Sequence, residues 1–283
     1  MPNTLKRAAN LTLAANIFLF VIKAAAGIIS NSIAVISDAL NSLTDIISSL
    51  AIMYSVRVSL KKPDEDHQFG HNAAQPLSVF LIALFTAMLS INLIEESVKR
   101  IITPSHVNVI PPVYIILTVT IITKLILNRY QTAVSKTHKS PAIKATAIDS
   151  RNDVLTSSLS ILGILGVQLG LRYLDGIAGI LIALFIFQSA YQMTKENIDY
   201  LMGKSADENL ILEIANAALK VEGVRGLNEL KSHYVGNKFH VEIHIDVDKN
   251  LSTEVSHDIG EKVQIAVSNL SDINQVFVHI DPV

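Results

Sequence analysis

The sequence predicts an α-helical membrane protein: six transmembrane helices, followed by a small αββαβ domain. Three observations carry this expectation. Six runs of about 18 or more mostly apolar residues recur between positions 11 and 193, each long enough to cross a bilayer's hydrocarbon core. The chain is 50% hydrophobic and 17% charged, with a mean hydropathy of +0.41. From Ser205 onward that character ends, and helix-period and strand-period patterns alternate instead.

The six spans fall at about 11–33, 36–56, 77–97, 111–128, 146–170 and 175–193. The first is too long for the apolar region of a secretory signal, and no convincing small-residue cleavage site follows it. Lys6 and Arg7 precede span one, Arg57, Lys61 and Lys62 follow span two, and Arg129, Lys136, Lys139 and Lys144 fill the fourth connection. Lys99, Arg100 and Arg172 are the main cations on the other side. This bias places both termini in the cytoplasm, and the cell membrane is the expected location.

Residues 1–204 form the expected membrane domain and 205–283 the soluble one. Ser205 and Glu208 have the spacing of a capping box ahead of the amphipathic run "LILEIANAALK". Two strands follow in "LNELKSHYVG" and "KFHVEIHIDVD", then a helix in "TEVSHDIGEKVQIAVSNL" and a last strand in "INQVFVHID". The order αββαβ describes a two-layer, ferredoxin-like domain. Cysteine is absent, so no disulfide or thiolate metal site exists, and a net charge of −2 gives no reason to expect nucleic acid.

Charged residues inside spans are costly and mark function by default. Span two contains "ISDALNSLTDIISS", in which Asn41 and Asp45 are four residues apart. Span five opens on "AIDSRNDVLTSS", in which Asp149 and Asp153 have the same spacing. Residues four apart share a helix face, so two such helices facing each other would bring four oxygen-bearing side chains together. Asp38, one turn before Asn41, is an outer-shell candidate. Three carboxylates this close cannot all remain ionised in a low dielectric without a cation. Oxygen ligands favour hard divalent ions such as manganese or magnesium over zinc, and all nine histidines lie outside the six spans.

Histidines gather elsewhere. Asp64, His67 and His71, spaced D-x2-H-x3-H after span two, suit a zinc-like ion if the loop curls. Strand alternation puts His240, Glu242, His244, Asp246 and Asp248 on one face of the soluble domain.

Together, "SDALNSLTDIISSLAI", "DEDHQFGH" and "AIDSRNDVLTSSLSILG" resemble the cation diffusion facilitator transporters, and the resemblance extends over nearly the whole chain. It implies a homodimer in the lipid bilayer that exchanges a divalent metal for protons by alternating access. Asn41, Asp45, Asp149 and Asp153 would form the transport site, a pattern similar to the manganese-exporting branch, where zinc members carry histidine. Zn2+ and Fe2+, or Co2+ and Cd2+, are the alternative cargoes. The resemblance also implies a second metal site in the loop of Asp64, His67 and His71, and a cytoplasmic regulatory site at His244, His257, His279 and Asp281, with His233 and His240 as further candidates.

Three other classes compete, of which a metal-binding sensor with no transport role leaves the six spans unexplained. An intramembrane aspartyl protease takes one aspartate from each of two helices in a glycine-flanked setting, which neither Asp45 nor Asp149 has. The expectation is therefore a protein without enzymatic activity. A metal-gated channel needs no pair of ligand pairs.

Overall fold

The computed structural model describes residues 2–30, 33–103, 111–169, 171 and 173–283. Within these, a number of side chains in the helices lie outside the description, including those at 26–30 and 33–41 and with them Asp38 and Asn41. Residues fall into two compact units: one of 1–63 and 74–197, the other of 64–73 and 198–283. The loop 64–73 thus groups with the C-terminal residues, and the division falls at 197/198 where the sequence suggests 204/205.

The first unit is six long helices: α1 (Pro2–Ser30), α2 (Ile33–Ser59), α3 (Ala74–Ile102), α4 (Pro111–His138), α5 (Pro141–Gln168) and α6 (Leu174–Leu201). Each has 27 to 29 residues. At 1.5 Å per residue that is roughly 40 Å, enough to cross the hydrocarbon core and enter the interface. Among the described residues, Asn3–Ala25 and Ala74–Lys99 are continuously apolar enough to cross a membrane by composition alone.

The helices overrun the expected spans at their ends. The largest overruns are at the end of α4, which takes in His138, at the start of α1 and at the end of α6, and α5 also begins five residues early. Pro141 opens α5, a position where its missing N–H costs nothing. Asp149 and Asp153 therefore lie two to three turns inside a helix, where neither can act as its cap.

Polar side chains tie the bundle together where apolar packing alone would not set its register. Gln131 donates to Thr12 Oγ1 at 2.8 Å, joining α4 to α1. Asn128 donates to the Ala147 carbonyl at 2.6 Å, joining α4 to α5. Gln75 donates to Ser59 Oγ at 2.7 Å and accepts from Ser140 Oγ at 2.5 Å, linking α2, α3 and the start of α5. Around them Ala8, Val56, Ala83, Ala142 and Ile143 are fully buried, with small residues letting the backbones approach closely.

The second unit holds α7 (Glu208–Leu219), β1 (Gly226–Val235), β2 (Lys238–Val247), α8 (Thr253–Ser268) and β3 (Ile273–Pro282). The sheet order is β1-β2-β3, antiparallel between β1 and β2 and parallel between β2 and β3. The crossover through α8 is what a parallel pair requires. Val241, Ile243, Ile245 and Val247 bury one face of β2 against Ile214, Ala218, Ile259, Val263 and Val267 of the two helices. Asp207, not Ser205, caps α7: its carboxylate accepts from the Leu210 amide at 2.9 Å. Ser205 Oγ instead lies 3.0 Å from Ser232 Oγ, which also accepts from the Ala206 amide.

Gly236, between β1 and β2, has φ of +72°, and a Cβ there would lie 2.2 Å from Asn72 Cβ and 2.6 Å from its carbonyl carbon. Only glycine lets the hairpin turn and the 64–73 loop approach this closely.

Candidate metal-transport site

Helices α2 and α5 each place one carboxylate against the same lysine. Lys124 of α4 places its ammonium 2.6 Å from Asp153 Oδ2 of α5 and 3.5 Å from Asp45 Oδ2 of α2. The same ammonium donates to Asn16 Oδ1 of α1 at 2.8 Å. Asn16 in turn donates to Ser49 Oγ at 2.7 Å and to the Asp45 carbonyl at 3.3 Å. One cation thus connects four helices, hydrogen-bonded to Asn16 and ion-paired with Asp153 and Asp45.

The lysine is 4% exposed, whereas Asp45 and Asp153 keep 33% and 28% of their side-chain surface accessible. A buried ammonium held by two partly exposed carboxylates is the electrostatic core of this site, and the Asp153 oxygen that it touches, Oδ2, is itself buried. Asp149, one turn before Asp153, is half-buried and within electrostatic range of Asp45, Asp153 and Lys124. Asn41 and Asp38 are in α2, with side chains outside the described residues.

Sequence reasoning missed Lys124, Asn16 and the buried Lys23 of α1. The signal was present: two lysines and an asparagine inside otherwise apolar spans are as anomalous as an aspartate.

Among the described residues, two groups bring three ligand-type atoms within 4.8 Å of one another: Asp64, His67 and His71; and His244, His279 and Asp281. In the first, a tight turn brings the residues together. The His67 amide donates to Asp64 Oδ1 at 2.8 Å, and His71 Nε2 lies 3.2 Å from Asp64 Oδ2. That amide, with the two imidazoles, holds the Asp64 carboxyl below its usual range. His71 Nδ1 is buried with no hydrogen-bond partner among the described residues.

The second group follows from strand register. His244 pairs with His279 across the parallel β2–β3 ladder, and Asp281 lies two residues on, on the same face. The two rings are 4.5 Å apart, and Asp281 is 3.4 Å from His244 Nδ1 and 3.3 Å from His279 Nε2. Asn228 donates to Asp281 at 3.2 Å and, with the histidines, depresses its pKa.

The structure does not bring the other candidates into this group. His257 is exposed on α8, a different layer from the strands that build the cluster. His240 is 2% exposed, its Nε2 is 2.9 Å from the Asn274 amide, and Phe69, Phe277 and His233 surround its ring. Burial lowers its pKa, with His233 adding to the effect. His233 and His240 face each other across β1–β2, with ring centroids 5.7 Å apart.

The chain matches known proteins along nearly its whole length. Residues 10–202 match the cation efflux transmembrane domain, and residues 206–283 match the cytoplasmic domain of cation efflux proteins. An uncharacterised transporter of Methanocaldococcus jannaschii, MJ0449, is 34% identical, with 96% of each chain covered. The manganese efflux system proteins MneP and MneS of Bacillus subtilis are 27% and 28% identical, covering 98% and 96% of this chain and 96% and 93% of their own. Six membrane helices with paired carboxylates, a small αββαβ domain and these matches establish that the chain is an integral membrane protein of the cation diffusion facilitator family, a metal cation efflux transporter and not an enzyme.

Proposed function

We propose that the protein exports Mn2+ in exchange for protons, working as a homodimer by alternating access with both termini in the cytoplasm. The observation that carries this reading is the meeting of Asp45 and Asp153 from two facing helices on one ammonium, inside the membrane domain. With Asp149 beside them, and Asn41 the expected fourth member from the sequence spacing, the donors are all oxygen, which suits a hard divalent ion better than zinc. Two relatives of nearly equal length named for manganese efflux support the same cargo. The carboxylates that release the metal are then the groups that carry returning protons, because a ligand must shed its proton to bind an ion. Residues 1–204 act as the transport domain, and 205–283 as the metal-sensing and dimerising domain.

The test is metal uptake into proteoliposomes with an imposed pH gradient, comparing manganese, zinc, iron(II), cobalt and cadmium. Manganese flux exceeding zinc flux, and stopping when the gradient is collapsed, is the expected result. Flux indifferent to the gradient would indicate a channel instead.

The two histidine-containing groups lie outside the transport helices and bind metal as regulators. His244→Ala with His279→Ala should remove one equivalent of bound zinc per chain, and Asp64→Ala with His71→Ala another. Equilibrium binding to the full-length protein counts them, and an unchanged stoichiometry in either pair would refute that site.

A further inference from the structure

We infer that Lys124 is a tethered counter-ion of the transport carboxylates, lowering the negative charge that the transported ion meets and competing with that ion for Asp153. The inference rests on the reading that Asp45, Asp149 and Asp153 hold the transported metal.

Three ionised carboxylates carry three negative charges, and the Lys124 ammonium, in contact with two of them, lowers the negative charge that an incoming ion meets. Lys23 of α1, buried and within electrostatic range of Asp45, adds a second positive charge beside them. In a low-dielectric bundle unbalanced charge is costly, so removing the Lys124 charge favours the more highly charged occupant. The geometry adds competition to this balance. The ammonium lies 2.6 Å from Asp153 Oδ2. A metal ligated by the same oxygen would sit at about 2.1 Å, so two cations on that atom would repel one another.

The lysine stem has four rotatable carbons, and its head is a compact point charge, so it can withdraw from Asp153 without moving α4. Asn16 Oδ1, 2.8 Å away on α1, is an acceptor that can keep the ammonium bonded as it does so. Asn16 is itself held in place by Ser49 Oγ at 2.7 Å, and Ser49 donates to the Asp45 carbonyl at 2.7 Å. The acceptor for the displaced lysine is thereby fastened to the helix that carries Asp45. Lys124 is a specificity-determining residue that acts by charge and competition. It is not itself a metal ligand.

The experiment is equilibrium binding of Mn2+ and Tb3+ to the full-length protein in nanodiscs, in a background of Asp64→Ala and Asp281→Ala that silences the two histidine-containing groups. Lys124→Met should tighten Mn2+ by about tenfold and Tb3+ by about a hundredfold, raising the trivalent-to-divalent preference roughly tenfold. Lys124→Arg, which keeps the charge, should hold that preference within about threefold of the parent. Adding Asp45→Asn to Lys124→Met restores the charge balance and should return the preference toward the parent value. Should Lys124→Met fail to fold, Lys124→Gln, which can still donate to Asn16, carries the same expectation.

An unchanged preference in the neutral variants, while Asp153→Asn abolishes Mn2+ binding, overturns the counter-ion and leaves the transport site standing. Weaker binding of both ions overturns it equally, because a lysine that only packs helices would lose both together. Mn2+ binding that survives Asp153→Asn overturns the transport-site reading and this inference together.

Discussion

Asp153→Asn is expected to reduce metal transport in proteoliposomes by at least about a hundredfold, beyond the roughly 10–100-fold typical of losing a residue that merely supports a ligand. Two consequences combine in this variant. The neutral amide is a far weaker ligand for a hard cation, and it cannot take up and release a proton over the working pH range. The ammonium of Lys124, now 2.6 Å from a carboxylate, would also lose its nearest anionic partner in a buried setting. A paired charge that loses one partner inside a protein is costly in a way that an exposed pair is not. Helix packing around Asn16 and Asp45 should therefore loosen as transport falls.

Proton release identifies which effect dominates. Manganese binding to the parent, titrated in buffers of different ionisation enthalpy, should release more than one proton per ion. In Asp153→Asn the residual binding should release fewer. Parent protein that releases no protons, or a variant that releases as many as the parent, would end the carboxylate account of coupling while leaving the ion path untested by that measurement alone. The transport assay supplies the second arm: a variant that transports normally is not altered at a ligand.

Asp149→His should change the cargo more than the rate. Imidazole nitrogen suits zinc, copper and nickel, whereas carboxylate oxygen suits manganese and magnesium. Exchanging one oxygen donor for nitrogen is therefore expected to raise the zinc-to-manganese transport ratio by on the order of tenfold, equivalent to about 1.4 kcal/mol of differential binding. Asp149 is well placed for this change, because it is half-buried and one turn before Asp153 on α5, within electrostatic range of Lys124 but outside the contacts that Lys124 makes with Asp45 and Asp153. Parallel uptake of the two metals at equal concentration and fixed pH gradient reads the ratio directly. A ratio equal to that of the parent would remove Asp149 from the ligand set. A fall in both fluxes with no change in ratio would assign it to helix packing.

The two variants separate cleanly because the residues differ in what surrounds them. Asp153 is engaged with a buried cation, so its removal disturbs charge balance and structure together. Asp149 is outside those contacts but within electrostatic range of the same cation, so its replacement acts on the charge balance more weakly and reports ligand chemistry through the zinc-to-manganese ratio.

Much of this protein is legible in its sequence, for a physical reason. A bilayer demands about 20 apolar residues per helix, and a half-buried strand demands strict alternation, so both periodicities are written locally. The same locality exposes Asp149 and Asp153, and Asn41 and Asp45: a helix converts a spacing of four into a shared face with no help from the rest of the fold. The His244–His279 pairing was half legible. Alternation on each strand assigns the faces, but which residue of β3 stands beside His244 is a matter of register, set by the α8 crossover and the core it packs.

Helix ends are less local. The start of α5 at Pro141 moves Asp149 from a helix terminus to its interior. Ser205 yields the cap of α7 to Asp207 because Ser232, distant in sequence, engages the serine. His257 lies on α8 while its expected partners lie on strands, and His240 is drawn into an aromatic cluster with Phe69 from the loop after α2. None of these follows from nearest neighbours in the chain.

Lys124 marks the limit most clearly. As one residue in α4 it is only a costly charge in an apolar run, and nothing nearby in sequence neutralises it. Its partners are Asn16, Asp45 and Asp153, which lie on three other helices and are separated from it by up to 108 positions. Coulomb attraction in a low dielectric acts through space and ignores chain order, so only the packing of α1, α2, α4 and α5 decides which charges meet.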